Sequence, residues 1–262
     1  MNKLPVSALV ASCNEGHMLE DCLRSLQFCD EIFGIDLQSD DNSMELFRKY
    51  ATQVETFQRV PMIERVHPHF IDKLKHDWII LIDPDERIMP ALAASIAEEL
   101  QKVEPEIAAL RVPMINHFKG RALKGTTYGG IIYARLLYRR SGITVDDDVH
   151  KGIKLRPGFD RKKIRFTGEN YDKHLWCNSW KQLADKHRRY LLGEGQARYN
   201  EGLRHSFKEQ WMAFFRTFYF SFKGLKGYKD GLTGLMISFM EARYEFLSWA
   251  GLKAYQRTIQ KQ

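Results

Sequence analysis

Two aspartates separated by one residue stand directly after an apolar run in Asp83-Pro84-Asp85-Glu86. The preceding residues, 78–82, predict a buried strand, in which side chains i and i+2 point to the same side. Both carboxylates therefore converge just beyond the strand end. Mg²⁺ and Mn²⁺ suit carboxylate oxygens, and Mg²⁺ takes one or two of them together with substrate phosphates. The pair predicts a divalent-metal site, with a solvated proline turn as the alternative.

The elements that must position these carboxylates alternate between strand and helix. Residues 6–11, 31–36, 54–57 and 78–82 predict strands, and apolar residues at helical spacing predict helices between and after them. Such alternation predicts an α/β fold with a mostly parallel central sheet flanked by helices. Ligands bind beyond the carboxyl ends of such strands, where Asn14, Asp36, Asp41 and Asp83 fall.

The pattern changes after about residue 106. Residues 108–113, 133–138 and 143–145 predict strands joined by Gly-rich turns, and the chain from about residue 178 predicts helices. We therefore expect one domain over residues 1–177 and a helical C-terminal region over residues 178–262.

Charge and composition limit the partners and the compartment. The 262 residues carry a net charge of +7, which indicates an anionic partner such as a phosphorylated substrate, a membrane surface or nucleic acid. We expect neither a secretion signal nor a spanning helix, because a strand pattern begins at once and no run of about 18 uncharged apolar residues exists. The four cysteines form no CxxC pair and are expected to be reduced, as in a cytoplasmic protein.

An aromatic stripe with basic flanks marks the region after residue 200. It consists of Trp211, Phe214, Phe215, Phe218 and Phe222 at helical spacing, surrounded by Arg204, Lys208, Arg216, Lys223, Lys226 and Lys229. The pattern is typical of a helix lying in the interface of an anionic membrane. Packing on the protein itself or on a second subunit is the alternative. Nucleic acid is disfavoured, because the aromatic residues do not alternate with basic residues on a strand.

Four motifs follow the predicted strands in order. They are residues 10–15 (Val-Ala-Ser-Cys-Asn-Glu), Asp36 with Ser39, Asp41 and Ser43, the single residue Arg65, and residues 83–86. Together they resemble motifs of the inverting family 2 glycosyltransferases, which have a GT-A fold. The first two resemble the family's nucleotide loop and its second-strand motif. Arg65 resembles the arginine that faces the nucleotide, and residues 83–86 resemble the Asp-x-Asp metal motif. Leu37 and Gln38 depart from the family's second-strand motif, which leaves the base contacts open.

Downstream motifs narrow the resemblance. Residues 135–139, Val149-His150, His174, residues 186–190 with Glu194, and residues 226–231 are together similar to the subgroup that contains the lipopolysaccharide-core β-glucosyltransferases. The resemblance implies metal-dependent, inverting transfer from a nucleotide-diphosphate sugar, with UDP expected, to a cell-envelope glycan or lipid-linked acceptor such as the lipopolysaccharide core. It also implies a peripheral position at the inner face of a bacterial inner membrane. We expect no nucleic-acid partner and leave a homo-oligomer open.

The resemblance also implies roles for individual residues. Asp83 and Asp85 would hold Mg²⁺ or Mn²⁺. The donor would be bound by Asn14, Glu15, Asp36, Asp41, Arg65 and Asp83. The acceptor or a phosphate group would be bound by Arg135, His150, His174, Lys186, Arg189 and Tyr190.

The general base stays open. The subgroup commonly has a glutamate after the histidine at position 150, and this chain has Lys151 there. Asp148 is the favoured candidate, with Asp146 and Asp147 as its neighbours and a solvated turn as the alternative for all three. Glu86 is the second candidate.

Two rival functions belong to other classes. A sugar-1-phosphate nucleotidyltransferase shares the nucleotide, the metal and the sheet. It usually has a basic Gly-rich loop after the first strand, and Ser12-Cys13-Asn14-Glu15-Gly16 does not fit that pattern. A non-catalytic protein that binds nucleotide sugars is favoured by Lys151 at the expected base position.

Overall fold

The chain forms two compact units. The computed structural model describes residues 3–60, 62–145 and 152–259. Unit 1 comprises residues 1–114 and 131–174, and unit 2 comprises residues 115–130 and 175–262. The sequence placed one boundary near residue 177. Unit 2 resumes at residue 175 and also includes the earlier segment 115–130.

Strands and helices alternate through the first hundred residues, as predicted. The strands are β1 (Leu4–Ser12), β2 (Cys29–Asp36), β3 (Gln53–Thr56), β4 (Trp78–Ile82), β5 (Glu86–Ile88), β6 (Ile107–Phe118), β7 (Arg121–Ala122), β8 (Ile132–Arg139), β9 (Ile143–Val145), β10 (Ile153–Leu155), β11 (Asp160–Lys163) and β12 (Asp172–Cys177). The α-helices are α1 (Gly16–Ser25), α2 (Ser43–Tyr50), α3 (His67–Phe70), α4 (Pro90–Lys102), α5 (Trp180–Asn200), α6 (Phe207–Tyr219) and α7 (Gly231–Ile259). Short 3₁₀ turns cover Ile63–Arg65, Ile71–Lys73, Arg140–Gly142 and Gly227–Asp230, and a π-helical turn covers Phe220–Gly224.

Parallel strands in the order β3-β2-β1-β4 form one half of the sheet in unit 1. The register pairs Ser12 of β1 with Asp36 of β2, and Val10 of β1 with Ile82 of β4. The carboxyl ends of these three strands therefore meet at one edge. Antiparallel β8 and β6 continue the sheet beyond β4. The predicted α/β class, with a largely parallel central sheet flanked by helices, is confirmed.

Alternate side chains of β1 enter two different cores. Val6, Ala8 and Val10 belong to a buried cluster that contains Leu19 of α1 and Phe47 of α2. The neighbouring residues Leu9 and Ala11 belong to a second cluster with residues of α3. A strand buried on both faces favours apolar residues at successive positions, which explains the apolar runs at residues 8–11 of β1, 32–35 of β2 and 78–82 of β4.

Helices dominate unit 2, as predicted for the C-terminal region. Long helix α7 packs against both α5 and α6. Arg198 of α5 donates two hydrogen bonds to the carboxylate of Glu245 on α7, at 2.9 and 2.7 Å. A Cβ on Gly195 would lie 2.5 Å from the carbonyl oxygen of Gly251, so the backbones of α5 and α7 approach closely there. Within the described ranges, no helix has the length and apolar character needed to cross a bilayer.

Gly34 offers a test of the packing under the sheet. A Cβ at this position in β2 would lie 2.3 Å from the ring of Phe47. We predict that Gly34→Ala lowers the free energy of unfolding, measured in urea, by roughly 1–3 kcal/mol, the usual cost of overpacking a core. The loss should be smaller in a Phe47→Leu background, because the shorter side chain leaves room. An equal loss in both backgrounds would show that the ring contact is not the cause.

Candidate active site

Two loops at the carboxyl edge of the sheet are tied to each other by Asn14. The backbone of Asn14 is in the left-handed region, with φ of 58°, which asparagine tolerates better than most residues. Its N–H donates to Ser39 Oγ at 3.0 Å, and its side-chain Oδ1 accepts from the N–H of Asp40 at 2.7 Å. The loops after β1 and β2 therefore form one braced surface.

Asp36 and Asp41 occupy different environments on this surface. Asp41 accepts hydrogen bonds from the N–H groups of Gly16 and Ser43, each at 2.9 Å, and so satisfies the first turns of α1 and α2. Asp36 is buried at the end of β2. Its Oδ2 accepts from the N–H of Ser39 at 3.1 Å, whereas its buried Oδ1 has no partner among the described residues. Oδ1 therefore lacks the hydrogen bond that a buried acceptor normally makes.

Residues 83–86 form a turn that is held from both ends. The N–H of Asp83 donates to Glu86 Oε2, and the N–H of Glu86 donates to the carbonyl of Asp83, each at 3.0 Å. The buried guanidinium of Arg87 donates to the carbonyl oxygens of Pro84 and Glu86, at 2.6 and 2.8 Å. The stretch is thus both a turn and a carboxylate pair, with Asp83 exposed and Asp85 half-buried.

Strand β12 brings further polar residues to this turn. It pairs antiparallel with β5, which sets His174 opposite Glu86 and Asp172 opposite Ile88. His174 Nε2 lies 3.4 Å from Asp85 Oδ2. Asp172 is fully buried, and its Oδ1 accepts from the N–H of Arg87 at 3.2 Å.

Burial and mutual repulsion hold protons on these carboxyl groups. Burial, with smaller contributions from Asp85 and Asp83, raises the pKa of Glu15 to about 7. Burial and the neighbouring Asp172 raise the pKa of Glu86 well above its ordinary value. Burial raises the pKa of Asp172 itself to about 7, although His174 opposes the shift. A cation at this site would relieve the repulsion between the ionised groups.

The residues present fit a cation that takes much of its coordination from a substrate. Among the described residues, no three His, Cys, Asp or Glu side chains converge into a self-sufficient metal site. Asp83 and Asp85 offer two carboxylates, which matches the Mg²⁺ pattern of one or two carboxylates completed by phosphate and water. The raised pKa of Glu15 beside them agrees with a site that exchanges protons for a metal ion.

A cavity of about 390 Å³ adjoins the turn within unit 1. Its lining comprises Ile63, His67, Leu81, Asp83, Glu86, Ala134, Leu136, Tyr138, Val145, Gly152 and Ile153. The volume falls in the range of small-molecule sites, about 300–1,000 Å³. Asp148 and His150 lie outside the described residues, as do Asp146, Asp147 and Lys151. This segment connects Val145 to Gly152, both of which line the cavity.

The remaining predicted site residues lie in a 3₁₀ turn, in β8 and on α5. Arg65 is exposed at the end of the 3₁₀ turn that begins with cavity-lining Ile63. Arg135 lies in β8, in the register position opposite Arg111. Lys186, Arg189 and Tyr190 lie on α5 of unit 2, where Lys186 Nζ donates to the carbonyl of Trp176 at 2.6 Å and Tyr190 is exposed. Their assignment to the acceptor stays a prediction.

Sequence reasoning missed Arg87 and Asp172. Arg87 had a local signal, since it follows the motif directly as a charged residue within an apolar strand pattern. Asp172 had none, because its contact with Arg87 joins residues 85 positions apart. His67 and Tyr138, which line the cavity, were also not singled out.

Comparison with known proteins agrees with the motif resemblance. No protein-family model matches the chain. The lipopolysaccharide core biosynthesis glycosyltransferase LpsC of Rhizobium meliloti is 29% identical over 156 residues, which cover 58% of this chain and 57% of LpsC. This chain is similar to a lipopolysaccharide core glycosyltransferase. The match spans little more than half the length of LpsC, and the predicted resemblance to this group is confirmed over that part.

Two solved structures are more distant matches. TarS residues 1–349 from S. aureus match 98% of this chain and 92% of that chain, with 14% identity and a TM-score of 0.48. Glucosyl-3-phosphoglycerate synthase from Mycobacterium tuberculosis, solved with Mn²⁺, UDP and glucosyl-3-phosphoglycerate, matches 44% of each chain, with 16% identity and a TM-score of 0.35. Neither similarity bears on the chemistry of the site, which follows from this chain's own residues.

Asp172 makes the stability of the protein depend on pH. Its pKa rises from 3.8 to about 7 on folding, so the folded protein holds the proton more tightly than the unfolded chain. The resulting stabilisation is complete below about pH 4 and is lost as the pH rises through about 7. We predict that Asp172→Asn, which keeps an Oδ1 acceptor for Arg87, becomes more stable relative to wild type over that pH range.

Urea unfolding in EDTA at several pH values measures the effect. Glu98→Gln, which changes an exposed carboxyl group on α4, should follow the wild-type pH dependence and serves as the control. A difference between Asp172→Asn and wild type that stays constant with pH would contradict the prediction.

Proposed function

We propose that this protein is a metal-dependent, inverting glycosyltransferase that moves a sugar from a nucleotide-diphosphate donor, with UDP expected, to a cell-envelope glycan or lipid-linked acceptor. One observation carries the proposal. The Asp83–Glu86 turn presents two carboxylates at the carboxyl edge of the parallel strands, beside a cavity of about 390 Å³. The similarity to LpsC supports the class of acceptor.

The braced loops after β1 and β2 suit the nucleoside part of the donor. Asp36 offers a buried acceptor oxygen without a protein partner among the described residues. Asn14 and Asp41 have their side-chain oxygens engaged by backbone N–H groups. We infer that Asp36 contacts the donor directly, whereas Asn14 and Asp41 hold the loops that surround it.

The carboxylates after β4 suit the diphosphate part. Asp83 and Asp85 would hold Mg²⁺ or Mn²⁺, which as a Lewis acid neutralises charge on the leaving diphosphate. His174, at 3.4 Å from Asp85, would orient that carboxylate. Exposed Arg65 would add positive charge for the same phosphates.

Inversion needs a base that takes the proton of the acceptor hydroxyl as its oxygen attacks the sugar. Glu86 lines the cavity, and burial together with the neighbouring Asp172 raises its pKa well above the ordinary carboxyl value. Asp148 belongs to the segment that joins two cavity-lining residues. Loss of the true base lowers kcat and leaves donor binding unchanged. Loss of Glu86 as a turn-holding residue would weaken donor binding as well, so Glu86→Gln and Asp148→Asn discriminate the two candidates.

Removal of Asp85 tests the enzyme proposal. We predict that Asp85→Asn abolishes the Mn²⁺-dependent part of UDP binding and lowers release of UDP from a panel of UDP-sugars roughly 100-fold or more, the scale of losing one electrostatic group in a site. Calorimetry with UDP and Mn²⁺, repeated in EDTA, and an assay of free UDP provide the measurements.

Glu98→Gln is the matched control and should behave as wild type. Retention of metal-dependent UDP binding by Asp85→Asn would contradict the assignment. Metal-dependent UDP binding without any turnover of UDP-sugars would favour the non-catalytic rival. Release of pyrophosphate from UTP and a sugar 1-phosphate would favour the nucleotidyltransferase.

We also propose that unit 2 contacts a membrane surface through α6. The aromatic stripe is split, because Phe214 packs edge-on against Phe239 and Phe246 of α7, whereas Phe215 is 61% exposed. The exposed apolar residues along this face are Phe207, Trp211, Phe215, Tyr219 and Phe220, with exposed Lys208, Arg216 and Lys223 beside them. Exposed aromatic residues with basic neighbours support contact with anionic lipid.

Vesicle flotation tests this contact. We predict that wild type floats with phosphatidylcholine vesicles that contain phosphatidylglycerol, and that Phe215→Glu loses flotation because it removes an apolar side chain and adds a negative charge. Ile131→Glu makes the same change at an exposed position in unit 1 and should still float. If Phe215→Glu floats as wild type does, the proposal is wrong. If wild type is a dimer that dissociates in Phe215→Glu, a second subunit is the favoured partner of this face.

A further inference from the structure

A second cavity, of about 640 Å³, lies within unit 2. Its rim carries four basic side chains, Lys119, Arg121, Lys124 and Lys229, all of them exposed. One acidic residue, Asp230, belongs to the same lining. We refer to this cavity as the basic cleft.

The four basic side chains of the basic cleft outnumber its one acidic residue, Asp230. Across the described ranges, no carboxylate lies within ion-pair distance of these four side chains. The carboxylate of Asp230 is engaged elsewhere. It accepts from the backbone N–H of Lys124, at 2.9 and 3.0 Å, and from that of Gly125 at 2.7 Å. Several cations that repel one another therefore share one concave surface, an arrangement that favours an anionic ligand.

The backbone holds these side chains together. Lys119 and Gly120 have positive φ values of 51° and 75°, which turn β6 back into β7 and set Lys119 and Arg121 at one hairpin end. A Cβ on Gly125 would lie 2.2 Å from the carbonyl oxygen of Lys226. The absence of a side chain at Gly125 thus lets this segment pack on the turn that carries Lys229.

The surroundings of the basic cleft indicate the chemistry of its ligand. Lysine and arginine together bind phosphate through charge-assisted hydrogen bonds. Thr233, in the first turn of the 29-residue helix α7, also lines the cleft, and a helix N-terminus favours anions. The adjoining residue Leu232 is 73% exposed, and Phe239 further along α7 is also exposed. A phosphate group attached to an apolar chain would therefore find partners for both parts.

We propose that the basic cleft is a binding site for a phosphate group, carried either by a soluble phosphorylated compound or by a lipid. The proposal does not rest on the donor site, since it concerns residues of unit 2 alone. Under the proposed function, the phosphate belongs to the acceptor.

Calorimetry on the full chain in EDTA, with inorganic pyrophosphate in one arm and water-soluble dihexanoyl phosphatidic acid in the other, tests the proposal. Wild type should bind at least one probe, and Lys124→Ala/Lys229→Ala should weaken that binding roughly tenfold or more, with weaker binding at higher salt. The Asp85→Asn variant should bind as wild type, which excludes the carboxylate site as the source of the signal.

Lys253→Ala is the matched control. It removes an exposed lysine of α7 that lies about 30 Å along the helix from Thr233, and it should change affinity less than twofold. Tighter binding of the phosphatidic acid would assign the phosphate to a lipid, and equal binding would assign recognition to the phosphate alone; both support the site. Absence of binding by wild type, or an equal loss in Lys253→Ala, would overturn it. Either result leaves Mn²⁺-dependent UDP binding as a separate readout of the proposed function.

Discussion

Burial of carboxyl groups at the carboxyl edge of the parallel strands, reinforced by their mutual repulsion, is the constraint around which unit 1 is arranged. The register of β1 with β2 and β4 brings the loops after these strands to one edge, so Glu15 and the Asp83–Glu86 turn become electrostatic neighbours. The buried cation beside them does not remove the repulsion. Arg87 uses its donors on the carbonyl oxygens of Pro84, Glu86 and Met18. The fold thus holds the turn rigidly while leaving its negative charge for a cation.

The two halves of this edge differ in how much they depend on a ligand. The loops after β1 and β2 are joined by hydrogen bonds of Asn14 and Asp41, all of them made within the protein. Glu86 after β4 and Glu15 after β1 instead have raised pKa values, which a nearby cation would lower. Under the proposed function, the loops that would surround the nucleoside are therefore preorganised, whereas a cation would favour the charged form of the carboxyl groups near the diphosphate.

The sequence predicted those features that follow from local patterns. The apolar runs within β1, β2 and β4 were evident because strands buried on both faces favour apolar residues on both faces, and the strand ends then located Asp36 and Asp83. The pairing of β5 with β12, which buries Asp172, depends on a long-range contact that no local pattern encodes. The sequence also could not show that Asn14 and Asp41 brace the two loops. A side-chain oxygen can accept a hydrogen bond from a ligand or from a backbone N–H, and the local sequence does not distinguish the two.

The net charge can be interpreted only once the positions of the charged side chains are known. A charge of +7 predicted an anionic partner without locating it. In unit 1, several basic side chains are matched by acids, as in the pairs Lys73–Glu55, Lys75–Asp30 and Lys162–Glu104. In unit 2, the basic cleft gathers cations whose one acidic neighbour is bound to the backbone. Unit 2 therefore carries both the basic cleft and the exposed aromatic face of α6. A single anionic amphiphile would satisfy both features, because its head group and its apolar chain need different surfaces of one unit.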